Sequence, residues 1–311
     1  MHRSWLISLI LILAGLVACS SDETNEPPSS NEAGFDSGML GRWDVTVHGE
    51  DTYPLWFELT RDGDVLSGRL QPRGGHALPL DRVEANANAL SMEIDGTSYE
   101  GSYDGSAWSG TGSKGETSFE WSALRAPELA PPDNPTWGEP VELLNGVDLT
   151  GWVPLPGGEN RWRVEDGVLV NEASGANLRT EATFWDFELH IEVNVPEHSN
   201  SGIYLRGRHE VQVVDPAVEG LPSQKMGSIY GQLVPSMDAT HPAGEWQSFD
   251  ITLLGRWVTV VLNGETIIDH QEIPGITGGA LDSNEGEPGP FYLQGDHGRV
   301  LYRNIVLTPA S

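Results

Sequence analysis

Four residues near the middle of the chain have types and spacing that could do chemistry: Tyr204, Arg206, Glu210 and Gln212. Alternate residues of an extended strand share a face, so Tyr204 pairs with Arg206 on one strand and Glu210 with Gln212 on the next. Two short neighbouring strands that both stay polar beside an aromatic make a surface suited to a sugar. A second cluster, Tyr292-Leu293-Gln294-Gly295-Asp296-His297-Gly298, holds an imidazole between glycines at a strand end. That setting lets His297 approach a ligand closely, for acid–base work or for metal ligation. A divalent metal held by His297 with Glu210 or Asp215 is conceivable, although no local spacing such as His-x-x-x-His supports it. Glu188, His190 and Glu192 share another strand face; Glu188 and His190 read as solvent-facing, as one side of an antiparallel sheet commonly is.

The elements that must position these residues read as strands throughout. With 37 Gly, 21 Pro and 11 Trp in 311 residues, short strands and tight turns are favoured over helices. In residues 38–125 alternating segments at 42–47, 55–60, 65–70, 89–94, 98–103, 107–112 and 118–124 are separated by turn signals. Asp62-Gly63, Asp95-Gly96 and Asp104-Gly105 are hairpin turns, because Asp-Gly accepts the positive φ angles such turns need. The expectation is a small antiparallel meander or barrel with Trp43, Trp56, Trp108 and Trp121 in its core. A Pro-rich segment, 126–137, reads as a semi-rigid linker. Beyond it, strands at 187–195, 201–206, 209–215, 246–254, 257–262, 266–270, 290–294 and 299–307 predict a two-sheet jelly roll over 138–310, with Asn263-Gly264 as a further hairpin turn. The fold class is all-β.

The N-terminus and the charge bound where such a protein works and on what. A basic start, an apolar run from Trp5 to Val17 and Leu16-Val17-Ala18-Cys19 read as a secretory signal over 1–18, too short to span a bilayer. Leu-Val-Ala-Cys resembles the bacterial lipobox, which implies that Cys19 is lipidated and that the chain is anchored in the cell envelope, on the outer membrane. Cys19 is the sole cysteine, so lipidation leaves no disulfide and no thiolate chemistry. Residues 19–37 read as an acidic, solvated tether. Forty-six Asp and Glu against 17 Lys and Arg give a formal net charge of −29, which repels nucleic acid and makes it a poor partner. No phosphate loop, dinucleotide fingerprint or Gly-x-Ser-x-Gly elbow is present.

Two family resemblances enter at the strand residues. Glu210-Val211-Gln212-Val213-Val214-Asp215 resembles the Glu-x-Asp-x-x-Glu strand of laminarinase-type glycoside hydrolases, in which a bulge returns the last acid to the face of the first. Gln212 replaces the middle acid and Asp215 the last, which argues against a retaining double displacement by two close carboxylates. The whole of 138–310 resembles the 3-keto-glycoside lyases and hydrolases, through Leu144-Asn145-Gly146-Val147-Asp148-Leu149-Thr150-Gly151-Trp152, Trp162-Arg163-Val164-Glu165-Asp166-Gly167, Asn200-Ser201-Gly202-Ile203-Tyr204-Leu205-Arg206-Gly207, Gly227-Ser228-Ile229-Tyr230-Gly231 and Leu293-Gln294-Gly295-Asp296-His297-Gly298. The resemblance implies a concanavalin-like jelly roll acting on sugars oxidised to a ketone at carbon 3. A base then removes the proton on carbon 2, the group on carbon 1 is expelled, and water adds to complete net hydrolysis. In that frame Glu210 or His297 is the base, and Arg206 or a divalent metal steadies the enolate. Gln212, Tyr204, Gln294, Glu192, Asp215, Lys225 and Tyr230 complete the site. A non-catalytic carbohydrate-binding lipoprotein is the alternative, and a conventional glycosidase comes after it.

Overall fold

The structure is a computed structural model that describes residues 36–311. The expected signal segment, Cys19 and the expected tether as far as residue 35 lie outside the described residues. Among the described residues no helix is long and apolar enough to cross a membrane.

The first β assembly contains β1 (Gly41–His48), β2 (Tyr53–Asp62), β3 (Val65–Gln71), β4 (Leu78–Pro79), β5 (Arg82–Asn86), β6 (Ala89–Ile94), β7 (Thr97–Tyr103), β8 (Ala107–Lys114) and β9 (Thr117–Arg125). They pair antiparallel in the order β4-β3-β2-β1-β9-β8-β7-β6-β5. Leu80 N donates to Gly68 O on β3 and Asp81 N to Glu93 O on β6, so one short segment ties both edges together and the sheet curls into a barrel. Of the Asp-Gly turns, Asp95-Gly96 takes positive φ at both residues, 48° and 67°, while at Asp62-Gly63 and Asp104-Gly105 only the glycine does, at 57° and 98°. Trp43, Phe57, Trp108 and Trp121 fill the interior, with Trp43 against Trp108 and Phe57 against Trp121 edge to face. Trp56 differs. It is fully buried, but on the opposite face of β2, where its Nε1 donates to Ile276 O of the second assembly at 2.8 Å.

The second assembly contains β10 (Val141–Glu142), β11 (Trp152–Pro154), β12 (Trp162–Glu165), β13 (Val168–Asn171), β14 (Leu178–Phe184), β15 (Asp186–Asn194), β16 (Asn200–Leu205), β17 (His209–Val214), β18 (Trp246–Leu254), β19 (Trp257–Leu262), β20 (Glu265–Glu272), β21 (Gly289–Leu293) and β22 (Val300–Ala310). One sheet runs β12-β13-β22-β15-β18-β19-β20, with β10 also on β22; the other runs β11-β14-β21-β16-β17. Phe187, Leu189, Ile191 and Val193 of the first meet Ile203, Val211, Val213 and Leu293 of the second in one apolar core. This is the two-sheet sandwich expected from alternation. Period two then sends Glu188, His190 and Glu192 to the far side of the larger sheet. There the Glu192 carboxylate is taken by Arg303 and Asn304, on the face opposite the one that could meet Glu210.

The barrel and the sandwich form one compact unit, because β1 and β2 are buried on both faces. The outward face of β1 carries Arg42, Asp44 and Thr46. Arg42 bonds Pro274 O and the Glu285 carboxylate, and Thr46 Oγ1 meets Ser283 Oγ at 2.9 Å. Glu285, 1% exposed, also faces Arg256 at 3.6 Å and His209 at 3.7 Å. The segment 126–137 is tied down along the sandwich, with Leu129 O accepting from Arg256 N and Thr136 N donating to Ser311 O.

Candidate active site

The smaller sheet turns its second face away from the apolar core. Strand pairing sets Tyr204 opposite both Glu210 and Tyr292, and Gly202 opposite Gln212. Parity therefore brings Tyr204, Glu210, Gln212 and Tyr292 onto one face, and Gln294 follows two residues on. With Tyr230 and His297 they line a cavity of about 480 Å³, the size of small-ligand sites. Six of the residues expected from sequence meet here: Glu210, His297, Gln212, Tyr204, Tyr230 and Gln294.

Glu210 is 4% exposed. Its carboxyl folds back over Gly202, where a Cβ would stand 2.3 Å from Oε1, so the absent side chain is what makes room for it. Burial pushes its pKa up to about 8, with nearby Asp296 adding to the rise and the Tyr204 hydroxyl and His297 opposing it. Tyr204 Oη lies 2.9 Å from both Glu210 Oε2 and Gly278 O. A phenol has one proton and a carbonyl can only accept. With Glu210 protonated, the carboxyl donates to Tyr204 and Tyr204 donates to Gly278. Once Glu210 ionises, the phenol proton turns to it. Gly279, at φ +81°, packs against that hydroxyl: a Cβ there would stand 2.5 Å from Tyr204 Oη. Tyr204 is further fixed by stacking on Tyr292, with ring centroids 4.3 Å apart.

His297 stands at the mouth, half exposed. Its Nδ1 lies 2.6 Å from Asp296 Oδ1, and that bond, with the Asp296 charge, raises the imidazole pKa while holding the Asp296 carboxyl low. With Nδ1 donating to Asp296, Nε2 is the ring atom left for a ligand. The loop is held from below: Asn171 Nδ2 donates to Gly295 O and Gly298 O, and Ser174 Oγ to Asp296 O.

Four expected members lie elsewhere. Arg206 sits in the β16–β17 turn at φ +52°, outside strand parity. Its guanidinium stacks on Trp185 at 4.5 Å and donates to Gly255 O, so it is a structural cation. Asp215 follows β17 with no register shift to return it to the Glu210 face. Its carboxylate accepts from His198 N and Ala217 N at 2.7 and 2.9 Å. Lys225 donates to Val218 O beside a separate groove lined by Pro216, Pro222 and Met226. Glu192 is on the far sheet, as described. Asp215 thus leaves the expected metal set, and among the described residues no group of three or more His, Cys, Asp or Glu could hold a metal ion.

Other lining residues were not among the site members expected from sequence. Asn177, Asn200, Tyr292 and Asp296 come from the same sheet and its loops, and Tyr53 and Arg73 come from the barrel. Tyr292 and Asp296 had a signal, being two residues from Gln294 and adjacent to His297. Tyr53 and Arg73 had none, since only tertiary packing brings them there.

Site and fold together define an all-β sandwich with one deeply buried carboxyl in a polar cavity. The chain belongs to the family of 3-keto-alpha-glucoside-1,2-lyase-like domains, whose model matches residues 139–308. Its partner is a carbohydrate, and its family is one of hydrolases and lyases directed at glycosides. Among solved structures it is similar to two candidate glycosyl hydrolases from Parabacteroides distasonis. One is 31% identical over 58% of this chain and 92% of that chain, with TM-score 0.48. The other is 25% identical over 55% and 93%, with TM-score 0.46. A carbohydrate-binding module from Bacillus subtilis is 13% identical over 50% and 93%, with TM-score 0.35. No curated protein matches the chain.

Proposed function

We propose that the protein cleaves 3-keto-glycosides by elimination, with Glu210 as the base. The observation that carries this is the Glu210 carboxyl: buried at the floor of the cavity, pushed up to about 8, and coupled to the Tyr204 phenol. A carboxylate of that basicity matches the task of taking a proton from carbon 2 beside a ketone better than an ordinary one does. The electron pair of the broken carbon 2–hydrogen bond passes into the enolate on the carbon 3 oxygen. The carbon 1–oxygen bond then breaks, the leaving oxygen takes a proton from the His297 imidazolium, and a carbon 1–carbon 2 double bond conjugated to the ketone remains. Water then adds its hydroxyl at carbon 1 while its proton passes to His297, and Glu210 returns its proton to carbon 2, which completes net hydrolysis with both groups in their starting forms. Asp296 orients and charges His297, and the enolate oxygen has amide donors within the cavity at Gln212 and Gln294. No oxocarbenium ion is needed, so Gln212 can stand where a hydrolase would place an acid.

One observation favours a second reading. Glu210 and Asp296 are two carboxyls whose surroundings push their pKa values apart, the pattern of a glycosidase acid and its ionised partner. The 2.6 Å bond of Asp296 to His297 weighs against it, since that carboxylate is already engaged. Assay of the wild type, Glu210→Gln and His297→Ala on a 3-keto-glucoside and on the plain glucoside separates the two. Turnover of the ketone alone, lost in Glu210→Gln, supports elimination, whereas equal turnover of the plain glucoside would favour the glycosidase.

The same proposal sets the protein outside the cytoplasm, in the cell envelope and held on a membrane by lipid on Cys19, where oxidised glycosides would be met.

A further inference from the structure

The cavity is not built by the family-matched residues alone. Thr52, Tyr53 and Pro54, at the start of β2, and Arg73, Gly74 and Gly75, after β3, form one of its walls. That wall is fixed in place. Gln71, 1% exposed, donates from Nε2 to Pro72 O and Gly75 O, both at 3.0 Å, which shapes the 72–75 turn from inside. Gly279 N donates to Arg73 O at 2.9 Å, so the turn is bonded to the same loop whose Gly278 carbonyl receives the Tyr204 hydroxyl. Trp56 and Ile276 pin the two assemblies just below. The Arg73 guanidinium lies over the Tyr53 ring at 4.8 Å and faces Asp51 at 3.4 Å, so an aromatic, a cation and an anion are grouped at the rim.

We infer that the barrel is a recognition wall of the active cleft, and that Tyr53 and Arg73 bind the part of the glycan beyond the oxidised ring. The inference rests on the proposed function only for the choice of substrate. Guanidinium and carboxylate together supply donors and acceptors to vicinal hydroxyls, and a ring edge supplies apolar contact to a sugar face, a combination suited to a polyhydroxylated unit rather than an alkyl one. The concave sheet holds the reacting ring, and the barrel then sets preference for what is attached to it. Arg73 is exposed, so shortening it removes no core contact.

The test uses the full-length chain with Arg73→Ala and Tyr53→Ala, a methyl 3-keto-glucoside and a 3-keto-disaccharide. Loss of a charged hydrogen bond predicts that Arg73→Ala lowers kcat/KM on the disaccharide by about tenfold more than on the methyl glycoside. Equal losses on both, or none on either, would overturn the inference. Calorimetric affinity for the unoxidised disaccharide and for the unoxidised methyl glucoside gives an arm independent of turnover. A disaccharide preference that both substitutions reduce supports the wall even if the wild type cleaves neither ketone. Affinities unchanged by both substitutions, or no binding of either sugar, count against it.

Discussion

At the scale of single residues the account turns on where the Glu210 proton resides. Its carboxyl titrates near 4.5 when solvated and at about 8 in the fold, and burial is the leading cause. The base form therefore appears only as pH rises, while the His297 imidazolium is lost as pH rises further. Hence kcat/KM on a 3-keto-glucoside should rise as Glu210 ionises and fall as His297 deprotonates, and a profile flat between about pH 6 and 9 would contradict the assignment. The same shift has a stability consequence with a definite sign. Between those two pKa values the folded state holds a proton that the unfolded chain has released, so stability falls as pH rises through the window. Glu210→Gln removes that loss: its melting temperature should match the wild type at about pH 4 and exceed it at about pH 9, while its activity is abolished. Much of this was legible in the sequence, because Tyr204, Glu210 and Gln212 obey period two inside regular strands. Arg206 was misread for a physical reason, since a residue at φ +52° in a turn no longer follows strand parity.

At the scale of elements, β17 and the barrel–sandwich seam decide the site. β17 stays in register through Val214, so the bulge that the laminarinase-like spacing suggested for Asp215 is absent. Its Glu210 face is buried because the barrel and the loops around Gly278 cover it, and that cover is what makes Glu210 basic. The seam is charged: Arg42, Arg256 and Asp44 surround Glu285, and burial, reinforced by Glu285, pushes the Asp44 pKa up. Removing Glu285 leaves two guanidinium groups buried with less charge beside them. Glu285→Ala should destabilise the fold by on the order of 3–5 kcal/mol, read as a drop in the denaturation midpoint, and an unchanged midpoint would show the cluster to be dispensable. Nothing in the spacing of Glu285 in Ser283-Asn284-Glu285-Gly286 pointed to it, as Arg42 is 243 positions away on β1 and its other partners, Arg256 and His209, come from separate segments of the sandwich.

At the scale of the whole molecule, the strands, the Asp-Gly turns and the sandwich were readable because alternation and turn chemistry are local. The face that the barrel presents to the sandwich was not, because Trp56 and the residues around it look like any other strand. The lipid-anchored placement is tested by Cys19→Ser, which should move the protein from the membrane fraction to the soluble one; unchanged fractionation would refute the anchor. The central claim, elimination from an oxidised sugar with Glu210 as base, is met most directly by incubating wild type and Glu210→Gln with a 3-keto-glucoside and its unoxidised parent, with and without chelator. The expected result is aglycone release from the ketone alone, by the wild type alone. Release from the unoxidised parent, or undiminished release from the ketone by Glu210→Gln, would contradict it.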